Sequence, residues 1–235
     1  LYRTREKKHL SLLDVCSGIC SQSTLSRVEQ GSRELDSLTS EMLLGRIGRE
    51  VTRFELILNA EDYYLNQLRI EINENIEEKN YIKAKEKINL YRQHMPAEGK
   101  VHEQFCCYME CRILIAQNEI TEKLSALLLR AIRYTIPDYL LENCVSRRLY
   151  SPVEIELIRM HITYNDRKCE CNEVELFLIM DFVTEFYSLK QQEKIEIPLL
   201  VDCVKYEIAL EKYNRALASI ERALDIISVG RSMQY

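Results

Sequence analysis

Apolar residues recur at three- and four-residue intervals along most of this chain, the spacing that lines one face of an α-helix. Residues 1–9 read as a basic helix. A second helix opens at Leu10-Ser11-Leu12-Leu13-Asp14, where Ser11 offers a capping hydroxyl and Asp14, three residues on, a carboxylate that reaches back. It is short, and Gly18 supplies a left-handed turn position at low steric cost. Ser21 caps a third helix over residues 22–30, which Gly31 ends. Asp36 or Ser37 caps a fourth that runs through Leu38, Met42, Leu43 and Ile47. Residues 51–58 read as a connecting helix.

From about Glu61 the pattern predicts helices in pairs, so internal repeats are the first thing to test. Ala84, Ile88, Tyr91 and Pro96 are spaced by four, three and five. Ser125, Leu129, Ile132 and Pro137 repeat that spacing, and Ala216, Ile220 and Ala223 repeat it without the Pro. Sixteen and twelve residues before each leading position lie Leu68 and Ile72, Met109 and Ile113, and Leu200 and Val204, all apolar. This resembles the tetratricopeptide repeat, in which a first helix packs on a second that ends at Pro. Another pair starts at Ser151-Pro152-Val153-Glu154, a cap followed by Pro at the first helical position and Glu at the third. Its partner begins at Asn172 or Glu173 and runs through Phe177, Met180, Val183 and Phe186, but this pair does not register on the template. Stacked hairpins predict a solenoid with a concave surface; an irregular helical bundle is the alternative.

Composition agrees with an all-α chain. Of 235 residues only six are Gly and four Pro, while 46% are hydrophobic and 29% charged. No apolar run is long enough to predict a membrane span, and no apolar signal segment follows the opening Leu1-Tyr2-Arg3-Thr4-Arg5. The nine Cys (16, 20, 106, 107, 111, 144, 169, 171 and 203) form no Cys-x-x-Cys pair and do not combine with His9, His94, His102 or His161 at zinc-ligand spacing. They read as free thiols packed as small apolar groups in a reducing cytoplasm, with no metal or cofactor expected. Cys169-Glu170-Cys171, the one close pair, reads as part of a polar loop. Net charge is −5, yet residues 1–33 carry six cations (Arg3, Arg5, Lys7, Lys8, Arg27, Arg33) against Glu6, Asp14 and Glu29, leaving −8 for the rest. A basic head on an acidic body fits one small DNA-contacting module.

Helix, Gly-containing turn and polar helix within about twenty residues is the helix-turn-helix pattern. The segment Leu10 to Gly31 resembles the phage-repressor (XRE) class, with Val15 and Cys16 where the two helices touch, Leu25 and Val28 as the core-facing pair, and the closing Glu29-Gln30-Gly31. The resemblance implies that Gln22, Ser23, Thr24 and Arg27 face the major groove. Their chemistry suits it: Gln pairs bidentately with adenine, Arg with guanine, Ser or Thr with either. Ser21 and Arg33 would meet phosphates. Glu29 resembles the family's structural Glu, paired with an Arg of the first helix, here Arg5. The family often has Gln where this chain has Leu12, which puts one phosphate contact in doubt or turns Leu12 toward the body.

A head over 1–58 and a repeat domain over 59–235 together resemble the Rgg and PlcR-like peptide-sensing regulators of Gram-positive bacteria. That class implies a cytoplasmic homodimer on double-stranded DNA with a palindromic operator, and a short peptide in the concave repeat surface. Asn66, Asn73, Asn75, Asn143 and Asn214 are candidates by residue type to hold a peptide backbone. No phosphate-binding Gly loop, Gly-x-Ser-x-Gly or His-Glu-x-x-His motif suggests an enzyme. Two alternatives stay open: an adaptor that docks proteins instead of DNA, and a phage- or antitoxin-type repressor that needs no ligand.

Overall fold

Ser11, Ser21, Asp36 and Ser151 start α-helices where the side-chain pattern predicts them. In a computed structural model, which describes residues 1–49, 56–57, 59–97, 99–139, 149–164 and 170–232, the chain is all-α. Among these residues there are twelve helices and no strand. The head contains α1 (Tyr2–Lys7), α2 (Leu12–Cys16), α3 (Gln22–Glu29) and α4 (Ser37–Arg46). The body contains α5 (Ala60–Glu77), α6 (Tyr81–His94), α7 (Lys100–Ala116), α8 (Glu122–Thr135), α9 (Pro152–Tyr164), α10 (Glu170–Phe186), α11 (Leu189–Ala209) and α12 (Tyr213–Ser232).

Ser11 and Asp14 form the predicted capping box, with Ser11 N donating to Asp14 Oδ2 at 2.7 Å and Asp14 N to Ser11 Oγ at 3.1 Å. Ser21 Oγ accepts from Thr24 N at 3.1 Å and Asp36 Oδ1 from Thr39 N at 2.8 Å, so Asp36 is the cap of α4. Ser151 and Glu154 make a second box at the start of α9. The connecting helix predicted over 51–58 falls largely outside the described residues; α5 starts at Ala60, with Asn59 as its cap. The partner of α9 begins at Glu170, earlier than the spacing indicates.

Within the body, α5 packs on α6, α7 on α8 and α11 on α12. Burial corrects the register of α8. Leu124, Leu128 and Ala131 take the buried positions that Ala84, Ile88 and Tyr91 take in α6, while Ser125 and Leu129 are only half-buried. The first two buried positions thus fall one residue earlier than the template, because packing against α7 selects them, while Ile132, the third template position, is buried as predicted beside Ala131. The third pair departs from a simple hairpin: α9 packs mainly on α8, and α10 on α11.

Buried side chains form two clusters. The smaller joins α5, α6 and one side of α7 through Leu68, Ile72, Ile88, Tyr91 and Met109. The larger contains Val15, Leu25, Leu43 and Ile47 of the head together with Leu128, Ile158, Met180 and Leu199 of the body. Helix α7 belongs to both, and its Cys106, Cys107 and Cys111 are fully buried where neighbouring helices come close. Burial pushes the Cys106 thiol up to about 12 and the half-buried Cys20 thiol up to about 11, which disfavours the thiolate of each. The side chains of Cys169 and Cys171 lie outside the described residues. No helix among the described residues is long and apolar enough to cross a membrane.

Candidate nucleic-acid interface

The short helix α3 has one buried anchor and one open face. Leu25 is fully buried and Val28 half-buried, so they hold the helix down. On the other side Ser21, Gln22, Ser23 and Arg27 are exposed and Thr24 is half-buried. Ser23 and Thr24 stand four and three residues before Arg27, hence on its side of the helix. Arg33 is exposed beyond the C-terminus, and its Nη1 approaches Thr24 Oγ1 at 3.4 Å. Ser21 Oγ lies 2.9 Å from both Ser23 Oγ and Thr24 Oγ1. Ser21, Ser23, Thr24, Arg27 and Arg33 therefore share one polar ridge, while Gln22 is exposed at the start of the helix with no hydrogen bond from its side chain to the other five. Ser32 N donates to Arg27 O at 2.9 Å and Gly31 N to Val28 O at 3.0 Å, closing the helix with Gly31 left-handed.

Beneath the ridge, Arg5 of α1 grips Glu29 at the end of α3. Arg5 Nε and Nη2 donate to the two Glu29 carboxylate oxygens at 2.9 Å each, and Nη1 donates to Leu10 O at 2.7 Å. Both side chains are less than a tenth exposed. The bond to Glu29 raises the Arg5 pKa further. Two parallel bonds fix direction as well as distance, and they make α1 a brace for α3.

The head is locked to the body by groups that sequence reasoning did not single out. Arg46, at the end of α4, is buried with Glu154 of α9. Its Nε donates to Glu154 Oε2 at 3.0 Å, and its Nη1 and Nη2 donate to Val15 O, Ser17 O and Thr135 O. Burial works against ionising Glu154, but the Arg46 guanidinium and the bonds from Thr135 and Ser151 outweigh it and hold the carboxyl below its usual range. Lys8 Nζ donates to Ile47 O at 2.8 Å and Phe186 O at 2.7 Å, satisfying carbonyls at the ends of α4 and α10. The single Tyr187 Oη proton is shared between Tyr150 O at 2.7 Å and Gly45 O at 3.0 Å. His102 of α7 bridges the Asp36 cap, at 2.9 Å, and Tyr91 Oη, at 2.7 Å. Two left-handed glycines allow this close approach. A Cβ on Gly18 would lie 1.9 Å from Thr135 O, and one on Gly48 would lie 2.0 Å from Phe186 O.

A cleft of about 630 Å³ separates α4 from the body. Its body wall is formed by the first helix of each pair (α5, α7, α9 and α11), and no second helix contributes. Partly exposed Leu38, Phe105, Tyr108, Val153, Ile195 and Pro198 give it an apolar lining. Five cations line it (Arg49, Arg69, Arg112, Arg159 and Lys194) against two carboxylates, Glu41 and Glu156. Of the asparagines singled out by type, only Asn73 lines this cleft. Asn66 is buried and bonded to Arg69, Asn75 bonds Glu71 O, and Asn214 is exposed at the start of α12. Asn143 lies outside the described residues.

Comparison with protein-family models, curated proteins and solved structures found no match.

Proposed function

We propose that this chain is a sequence-specific DNA-binding transcriptional regulator whose repeat body dimerises and senses a short signalling peptide. The observation that carries the reading is the α3 ridge. A helix whose buried side is anchored by Leu25 and braced by Arg5–Glu29 presents Gln22, Ser23 and Arg27 to solvent. These are donor and acceptor types that read base edges, while Ser21 and Arg33 flank them as phosphate contacts. No catalytic role is proposed.

Homodimerisation is supported by α12. Tyr213, Leu217, Ile220 and Leu224 are 63%, 57%, 40% and 60% exposed at four-, three- and four-residue spacing, the stripe of a helix seam awaiting a partner. A two-fold dimer presents paired α3 ridges to half-sites about 34 Å apart. On this reading a short peptide would occupy the cleft between α4 and the body helices α5, α7, α9 and α11.

Titration of a selected operator tests the reading. Arg27→Ala is expected to weaken binding by about 1–3 kcal/mol, the loss for one good base contact. Its thermal midpoint stays that of the parent, because the side chain is exposed. Affinity falls steeply with added salt as phosphate contacts release counterions. Binding that ignores both Arg27 and salt would instead mark a protein-docking adaptor.

A further inference from the structure

The cleft has two kinds of wall, and its cations are unequally satisfied. Arg69 Nη1 pairs with Glu41 Oε2 of α4 at 3.1 Å, so a carboxylate of the head already sits on one of them. Arg159 pairs with Glu156 and Asp202. Arg112 differs. Its guanidinium is held by Asn73 Oδ1 and Met109 Sδ and lies 5.9 Å over the Tyr108 ring. Among the described residues no carboxylate pairs with it. Asn73 is itself fixed, since its Nδ2 donates to Arg69 O at 2.7 Å. A half-buried guanidinium whose hydrogen-bond partners, Asn73 and Met109, are both neutral and fix its orientation is a preformed carboxylate receptor. Around it lie Phe105, Val153 and Ile195 of the body and Leu38 of the head.

We propose that the cleft binds an apolar molecule ending in one free carboxylate, seated on Arg112, with its apolar part clamped between α4 and the repeat helices. This deepens the sensory part of the function proposed above by naming the ligand chemistry and the route to the head. The free C-terminus of a short apolar peptide and the headgroup of a fatty acid share that chemistry. The cleft volume is in the usual range for small-ligand sites. Because Leu38 lies on the helix that follows α3, the ligand touches the DNA-reading unit directly. It loses those contacts if the head leaves the body, so it favours the docked head.

The test uses the full chain without DNA, so it is read independently of whether the head binds an operator. A pool of random apolar heptapeptides with free C-termini, the same pool with amidated C-termini, and dodecanoate are each incubated with the protein, and retained molecules are identified by mass spectrometry. Retention of free-acid peptides with at least tenfold depletion of amidated ones is expected; retention of dodecanoate alone supports the site and assigns a lipid source. Arg112→Gln should cut retention at least tenfold, Arg112→Lys less. Leu38→Asn should also cut it at least tenfold, which a ligand held by the repeats alone would not show. Each variant is compared at an unchanged thermal midpoint. Equal retention of free and amidated peptides, retention indifferent to Arg112 or Leu38, or no retention of any of the three probes would overturn the proposal.

Discussion

Arg27 and Arg46 end neighbouring helices of the head and meet opposite surroundings. Arg27 stands in solvent, where its loss removes little from the fold. Arg46 has almost no water around it and spends its donors on Glu154 and three carbonyls. Arg46→Met should therefore destabilise by about 3–5 kcal/mol, the usual result of stranding a buried charge, with Glu154→Leu restoring part of the loss in the double variant. Chemical denaturation of the single and double variants measures it. Glu175 carries a different signal: burial, only partly offset by the Tyr139 hydroxyl, pushes its carboxyl up to about 7 from an ordinary 4.5. A carboxyl raised on folding adds stability that is complete below about 4.5 and lost as pH rises through about 7. Glu175→Gln should raise the thermal midpoint relative to the parent at pH 8 and not at pH 5. The legibility of such residues follows sequence distance. Ser11, Ser21 and Ser151 were readable because a cap acts within three residues. Arg5–Glu29 was readable from the register of a resembled motif, whereas the partners of Arg46 and Lys8 lie 108 and 178 residues away.

Among elements, the turn between α2 and α3 shows how one position serves two purposes. Gly18 has φ +76° and presses on the Thr135 carbonyl, whereas Gly31, at φ +72°, has nothing within 4 Å of the Cβ it lacks. Gly31→Ala therefore isolates the conformational cost, about 1–2 kcal/mol. Gly18→Ala adds a backbone clash, so its thermal midpoint should fall well below that of Gly31→Ala. Equal midpoints would mean that the head does not rest on α8. The α8 register was harder to read than the turn. Ala126, Leu127, Leu128 and Leu129 form a continuous apolar run, so spacing alone favours no single face, and only packing on α7 chooses Leu124 and Leu128. For α12 the pattern marks Ile220 as inward, yet it is 40% exposed. No later described helix covers that stripe, which is why the same residues support a subunit contact.

For the molecule as a whole, the first four helices and the body helices share one buried cluster. Hydrophobic spacing predicts helices and their pairing but cannot say that α4 lies beside α7 and α9, because that packing joins residues as far apart as Arg46 and Glu154, 108 positions. The consequence is functional. If α3 reads DNA, its direction is set by the body through Arg46, Lys8 and Tyr187, and a molecule in the cleft reaches α4 without an intervening linker.

The most direct measurement of the central claim is a genomic selection. Full-length protein is mixed with sheared source DNA and the retained fragments are sequenced, beside a Gln22→Ala/Arg27→Ala control of matched thermal midpoint. The account predicts a shared, roughly palindromic motif whose half-sites lie one helical turn apart and whose enrichment disappears in the control. Enrichment no better than the control, with or without culture-medium peptides, would contradict it and leave the α3 ridge as a surface for something other than DNA.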